Sequence, residues 1–342
     1  MSHDTLIVIW FVILGVLLVG YAILDGFDLG VGILHPFVAR TDENRRILLS
    51  AIGPLWNGNE VWLVTFGGGL FAAFPEAYAS IFSGFYIALT LVLVALISRA
   101  VSIELRNKRQ SPRWRAFWDW SFFAGSGLAT LLFGVAVGDA MIGLPLNAEG
   151  DFAGSFIDLL NPYGLLVGVF AVTMFAMHGA LFLHLKTEGE LQQQLRLWTW
   201  RMFGAFLVMY VLTTLVTLTL VPHATKNFAE HPWAFAVVFM DVLAIANIPR
   251  CIYRGRTGYA FLSSAVSIAG LLALLGLALY PNLVTAANGP GLSVTIFNAA
   301  SSTKTLAIML MVAAIGMPLV LTYTVIVYRS FRGKVRLDNH GY

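Results

Sequence analysis

Two short segments place ionisable side chains inside stretches that are otherwise apolar. The first, "LDGFDLGVG" (24–32), holds Asp25 and Asp28 three residues apart. On a helix that spacing sets both carboxylates on one face. There they can take up a proton at a membrane boundary, or pair with a basic residue such as Arg99. A structural ion pair is the preferred reading, and a solvated helix end is the bland one. The glycines at 26, 30 and 32 allow a neighbouring helix to approach closely. The second segment, "GPLWNGNEVW" (53–62), sets Asn57, Asn59 and Glu60 between Trp56 and Trp62. Gly53, Pro54 and Gly58 interrupt the helix there. Irregular backbone at membrane depth persists only where protein buries it or it lines a cavity. A charge near mid-bilayer costs from ~2.5 to above 10 kcal/mol. Glu60 must therefore be protonated, paired or beside a polar cavity. A structural polar network is the first reading, and a direct role in moving protons the second.

Other candidates are weaker. Asp241 falls inside an apolar run and has no assigned role. His178 and His184 lie six residues apart on one helix, so they cannot both ligate one metal axially. A lone intramembrane histidine reads as a hydrogen-bonded packing residue. His35, His223 and His231 fall in loops or at helix ends. The single cysteine, Cys251, excludes an internal disulfide and a cysteine metal cluster. No phosphate loop, dinucleotide fingerprint, nucleophile elbow or pair of metal ligands at useful spacing occurs. No complete catalytic centre is visible on this chain.

The elements that must carry these groups are membrane helices. Of 342 residues, 58% are apolar and only 11% charged. A soluble domain carries roughly 25% charged residues. The mean hydropathy is +0.79. About 20 apolar residues are needed to cross the hydrocarbon. Nine runs qualify, near 6–28, 50–73, 80–99, 117–139, 162–185, 202–221, 233–249, 258–280 and 305–328. With the N-terminus outside and the C-terminus cytoplasmic, 19 of the 21 Lys and Arg fall inside, leaving only Lys226 and Lys304 outside. That is the bias the positive-inside rule expects. It also accounts for the net charge of +3 without nucleic acid. No cleavable signal peptide is evident. The sequence reads as a single multi-pass domain: a first helical bundle (1–140), a second (162–280), then an outer loop, a ninth helix and a cytoplasmic tail (281–342).

The tryptophans at 114, 118 and 120, and those at 198 and 200, sit where interfacial anchors belong. Segment 140–161 is acidic, with Glu149, Asp151 and Asp158. Segment 281–304 is read as an ordinary outer loop, with a partly re-entrant or surface-lying stretch as the alternative.

The segments "GYAILDGFDLGVGIL" (20–34) and "GPLWNGNEVWLVTFGGGLFAAFPEAYA" (53–79) closely resemble subunit II of cytochrome bd quinol oxidases. Further matches are "SGFYIAL" (83–89), "NPYGLLVG" (161–168), "HGALFLHLKTEGEL" (178–191), "NAASSTKTLAIMLMVAAIGMPLVLTYT" (298–324) and "YRSFRGKV" (328–335), so the resemblance spans nearly the whole chain. It implies an all-α fold of two four-helix bundles plus one peripheral helix, in the bacterial inner membrane. It implies a haem-free subunit of an enzyme that oxidises ubiquinol or menaquinol, reduces oxygen to water and generates a proton-motive force. Two b-type haems and one d-type haem would sit on subunit I, the partner. In some members subunit II holds a structural quinone, and small single-helix accessory subunits bind. Position by position, Asp28, Trp56 and Arg99 match residues that keep the haem site intact. Trp62 matches a residue at the mouth of the apolar oxygen route. Asn57 stands where some members have an aspartate that helps deliver protons; an amide cannot ionise. Asp25, Asn59 and Glu60 complete the expected polar network.

Two other classes stay open from residues alone. One is a secondary transporter whose discontinuous helix is the second run. The other is a scaffold with no ligand of its own.

Overall fold

The computed structural model describes residues 1–336, with the side chains of His223 and Pro290 left aside. The end of the expected cytoplasmic tail lies outside the described residues. Twelve α-helices follow in order: α1 (His3–Val38), α2 (Asp42–Ile52), α3 (Trp56–Ala73), α4 (Pro75–Gly84), α5 (Tyr86–Leu105), α6 (Pro112–Ile142), α7 (Pro162–Lys186), α8 (Gly189–Leu220), α9 (Lys226–Glu230), α10 (Phe235–Tyr253), α11 (Thr257–Leu279) and α12 (Thr303–Ser330). Eight of them, α1, α5, α6, α7, α8, α10, α11 and α12, are long and apolar enough to cross a membrane, counting the 3-10 turns that extend α5 and α10. The shorter α3 is not among the eight, because Asn57, Asn59 and Glu60 dilute its apolar character.

The polar interruptions shape the helices as much as the apolar runs do. The second run divides at Gly53–Leu55, where Pro54 removes a donor, giving α2 and α3. The third run begins as α4, which Pro75 starts at its first position, and re-forms as α5 after Phe85. The first run continues well past 28. Its 36 residues span about 54 Å, and its C-terminal third is mostly buried although it carries Asp28 and His35. Asp25 and Asp28 therefore lie well before the C-terminal end of α1, not at a solvated helix end.

α1 is the central helix and packs against α3, α6, α7 and α11. Its closest seam is with α7. A Cβ placed on Gly30 would lie 1.9 Å from the Phe175 carbonyl oxygen, and one on Gly179 would lie 2.5 Å from the Gly30 carbonyl carbon. Small residues allow this backbone contact, which replaces the hydrophobic drive that lipid cannot supply. One buried cluster joins Leu29 of α1, Val92 of α5, Met177 of α7, Phe206 of α8 and Ile245 of α10. The two expected bundles thus share a core. α12 is the most peripheral long helix, and Leu306 is its one buried residue. Trp10 fixes its N-terminal end by donating from Nε1 to the Leu306 carbonyl at 3.0 Å.

Segment 281–304 folds over the C-terminal ends of α3 and α6. A short hairpin pairs β1 (Asn282–Val284) with β2 (Val294–Thr295). The Leu144 amide donates to the Thr285 carbonyl at 2.8 Å, and the Ser301 amide to the Ala73 carbonyl at 2.8 Å. Val284, Ile296 and Ala299 are buried in the outer core. The stretch is a fitted cap.

Candidate functional site

The two polar segments meet. α1 brings Asp25 and Asp28, α3 brings Asn59 and Glu60, α5 brings Arg99 and α12 brings Tyr328. The Arg99 Nη1 donates to Asp25 Oδ1 at 2.7 Å, both side chains being fully buried. Its Nη2 lies 3.8 Å from Glu60 Oε2. Asn59 Nδ2 donates to Asp28 Oδ2 at 2.8 Å and to the Leu24 carbonyl at 3.1 Å. The Tyr328 hydroxyl donates to Asn59 Oδ1 at 3.1 Å. One guanidinium thus lies against the carboxyl groups of Asp25 and Glu60, while Asn59 holds that of Asp28. The Tyr21 hydroxyl bonds to the Asp25 carboxylate. Among the described residues Asp28 Oδ1 and the Nε and Nη2 of Arg99 stay buried without a hydrogen bond. A half-satisfied buried network is costly unless something completes it.

Not every expected member joins. Asn57 is on the opposite side of α3 and is exposed. Glu60 is intermediate, with 23% of its side chain exposed. Trp62 is buried against α1, and a Cβ on Gly20 would lie 2.2 Å from its ring. Trp56 packs on an inner core cluster with Val38 and Leu55.

A second cluster, where α2 and the end of α5 meet the start of α6, was missed in the sequence. Buried Asp119 of α6 accepts from Arg45 Nη1 at 2.6 Å and from Arg106 Nε at 2.6 Å. Arg106 also donates to Asp42 Oδ1 at 2.8 Å, and Arg115 to Asp42 Oδ2 at 2.9 Å. Fully buried His35 places Nδ1 3.6 Å from Asp119 Oδ1. Partial burial raises the Asp42 carboxyl, but the hydrogen bond and charge of Arg106, with the charge of Arg115, outweigh it, so the group sits below the usual carboxylate value. The available signal was Asp119 itself, an acid among three tryptophans.

At the opposite end of α6, Asn161 caps α7 by accepting from the Gly164 amide at 2.7 Å and donates to buried Asp139 at 2.6 Å. Asp241 is buried against α11, where a Cβ on Gly270 would lie 2.8 Å from its Oδ1.

His178 has no ring nitrogen free for a haem iron. His178 uses both ring nitrogens, toward the Ile23 carbonyl at 3.0 Å and the Ser264 hydroxyl at 2.7 Å, and stacks on Phe261. No group of three His, Cys, Asp or Glu able to hold a metal occurs among the described residues.

A polar network joining α1, α3, α5 and α12 coincides with the two segments that carried the resemblance. The sequence matches the family model for cytochrome bd terminal oxidase subunit II over residues 6–331. The chain belongs to that family. It is 35% identical to cytochrome bd-I ubiquinol oxidase subunit 2 of Escherichia coli K12, over 99% of this chain and 97% of that one. It is 32% identical to cytochrome bd ubiquinol oxidase subunit 2 of Bacillus subtilis 168, over 97% of this chain and 96% of that one. Its fold is similar to a chain of the bd oxidase from Geobacillus thermodenitrificans, with a TM-score of 0.79, 20% identity, and coverage of 96% and 98%. Membership in this family leaves no support for a transporter.

Proposed function

We propose that this chain is the haem-free half of a quinol:oxygen oxidoreductase and that it works by packing against a haem-bearing partner. The observation that carries the reading is the uncovered face of α3 and α12. Asn57, Val61, Val64, Gly68 and Phe71 line α3 at helical spacing and are exposed. Met311, Val312, Ile315 and Leu319 of α12 are exposed as well. Aliphatic side chains alone would suit lipid. Asn57 would not, and Glu60, partly exposed, needs cover too. A partner helix that supplies polar groups satisfies both.

In this reading α3 is the ninth crossing, with α1, α3, α5 and α6 as one group of four, α7, α8, α10 and α11 as the second, and α12 outside both. The N-terminus faces outward and the C-terminus the cytoplasm of the bacterial inner membrane. Asp28, Trp56 and Arg99 support the haem site of the partner from this side of the interface. Trp62, buried beside Gly20, lies along an apolar route for oxygen. Asp25, Asn59 and Glu60 form the polar network, and Asn57 contributes no ionisable group. The chemistry of two b-type haems and one d-type haem belongs to the partner, as does quinol oxidation with release of protons to the outside. A structural quinone and a single-helix accessory subunit fit the apolar periphery.

Expression of this chain with and without its haem-bearing neighbour tests the proposal. Co-purification should give a one-to-one complex with haem b and haem d absorption and quinol-dependent oxygen uptake. This chain purified alone should be colourless and inactive. A stable monomer that carries its own haem would overturn it.

A further inference from the structure

The turn from α10 to α11 gathers Arg250, Arg254 and Arg256 around a cavity of about 110 Å³, whose wall Asn247, Cys251 and Tyr259 complete. The sequence holds no Asp or Glu between Asp241 and Asp338. No ion pair among the described residues involves any of the three arginines. The turn itself is fixed. Gly255 takes φ +68, and the Arg256 amide donates to the Cys251 carbonyl at 2.9 Å. Three uncompensated guanidinium groups are therefore held on a short arc. Topology asks only that basic residues lie on this side of the membrane; it does not ask them to line one cavity.

The surroundings identify the ligand chemistry. Guanidinium forks match phosphate oxygens in pairs. Along α10 and α11, Leu243, Leu262 and Val266 are exposed aliphatic side chains, and Tyr253 and Tyr259 are exposed at the boundary. Aromatic residues of this kind sit at headgroup level. A ligand that joins a phosphate to acyl chains satisfies the cavity and the flank together, whereas a free anion uses only the cavity. Basic pockets between membrane helices on the cytoplasmic side are suited to anionic headgroups. We propose that this cavity binds the phosphodiester headgroup of an anionic phospholipid, with its tails along α10 and α11. The inference rests on α10 and α11 spanning the bilayer, and is independent of the oxidase chemistry.

The test uses the complete complex, purified and delipidated, with native mass spectrometry of retained lipid during titration with cardiolipin. Each basic residue near an anionic surface is worth about a factor of five, so Arg250→Gln/Arg254→Gln/Arg256→Gln should lose roughly a hundredfold in cardiolipin affinity. The triple Lys replacement keeps the charge that topology needs but loses the forks, and should fall about tenfold. Arg329→Gln/Arg332→Gln removes charge on the same side and should change nothing. An unaltered haem spectrum checks that each variant is assembled. Equal cardiolipin retention in the parent and both triple variants would overturn the proposal. So would an equal loss in the Arg329/Arg332 control, or displacement of cardiolipin by equimolar inorganic phosphate, which would mark a site for a soluble anion.

Discussion

Replacing Arg99 with Gln removes the guanidinium that lies against Asp25 and Glu60 and leaves a shorter, neutral side chain. Asp25 and Arg99 are both fully buried and 2.7 Å apart. Breaking a buried pair from one side costs about 3–5 kcal/mol, because the remaining charge keeps its desolvation penalty without its partner. That is a loss of more than a hundredfold in the folded-to-unfolded ratio. The pair is joined through Nη1 alone, with Arg99 Nε unpartnered. Its net worth over a neutral pair is therefore small, and Asp25→Asn/Arg99→Gln should recover at least half of the loss. The assay is thermal inactivation of the purified complex, read together with haem content per complex. Arg99→Gln alone should lower both, and the double variant should restore both. A single-variant cost below about 1 kcal/mol, or a double variant whose cost equals the sum of the singles, would refute the argument that an uncompensated buried charge dominates.

Three further outcomes follow from the packing and the charges. Gly30→Ala should abolish accumulation of the complex in membranes, since its Cβ would lie 1.9 Å from the Phe175 carbonyl oxygen, whereas Gly15→Ala, with nothing within 4 Å, should accumulate normally. Asp42 has a folded value below its unfolded one, so its contribution to stability is present above the ordinary carboxylate range and is lost as pH falls through the folded value. The melting difference between the parent and Asp42→Asn should be full at pH 7 and shrink below about pH 4; a difference that grows on acidification would reverse the assigned sign. Glu60→Gln should slow oxygen reduction and proton uptake if the polar network conducts protons, and unchanged turnover and uptake would restrict Glu60 to a structural part.

Much of the architecture was legible because lipid imposes a simple rule, namely long apolar runs separated by basic inner loops. The runs at 162–185 and 258–280 correspond closely to α7 and α11. Hydropathy failed where helices continue through polar residues, as at the buried C-terminal third of α1 and the start of α3. It also failed where helices emerge into water, as in the first turns of α8, "GELQQQLRLWTWR". The meeting of Asp25 with Arg99 could be anticipated, since a buried carboxylate calls for a cation and Arg99 ends an apolar run. The placement of Asn59 between Asp28 and Tyr328 could not, because it depends on α12 returning beside α3 from a distant part of the chain. The Asp119 cluster was hidden for the same reason, as its arginines come from three separate segments. Asn57 shows the limit of spacing arguments: two residues from Asn59, it faces the other way, and only its exposed position in the folded chain separates it from the buried network.

The central claim is that the face formed by α3 and α12 is covered by the haem-bearing partner, and a photo-crosslinking amino acid at position 57 in the intact membrane complex tests it most directly. Crosslinking to the partner subunit from position 57, and only to lipid from the exposed position 243 on α10, is the predicted result. Crosslinking to lipid alone from position 57, in a complex that still reduces oxygen, would contradict it.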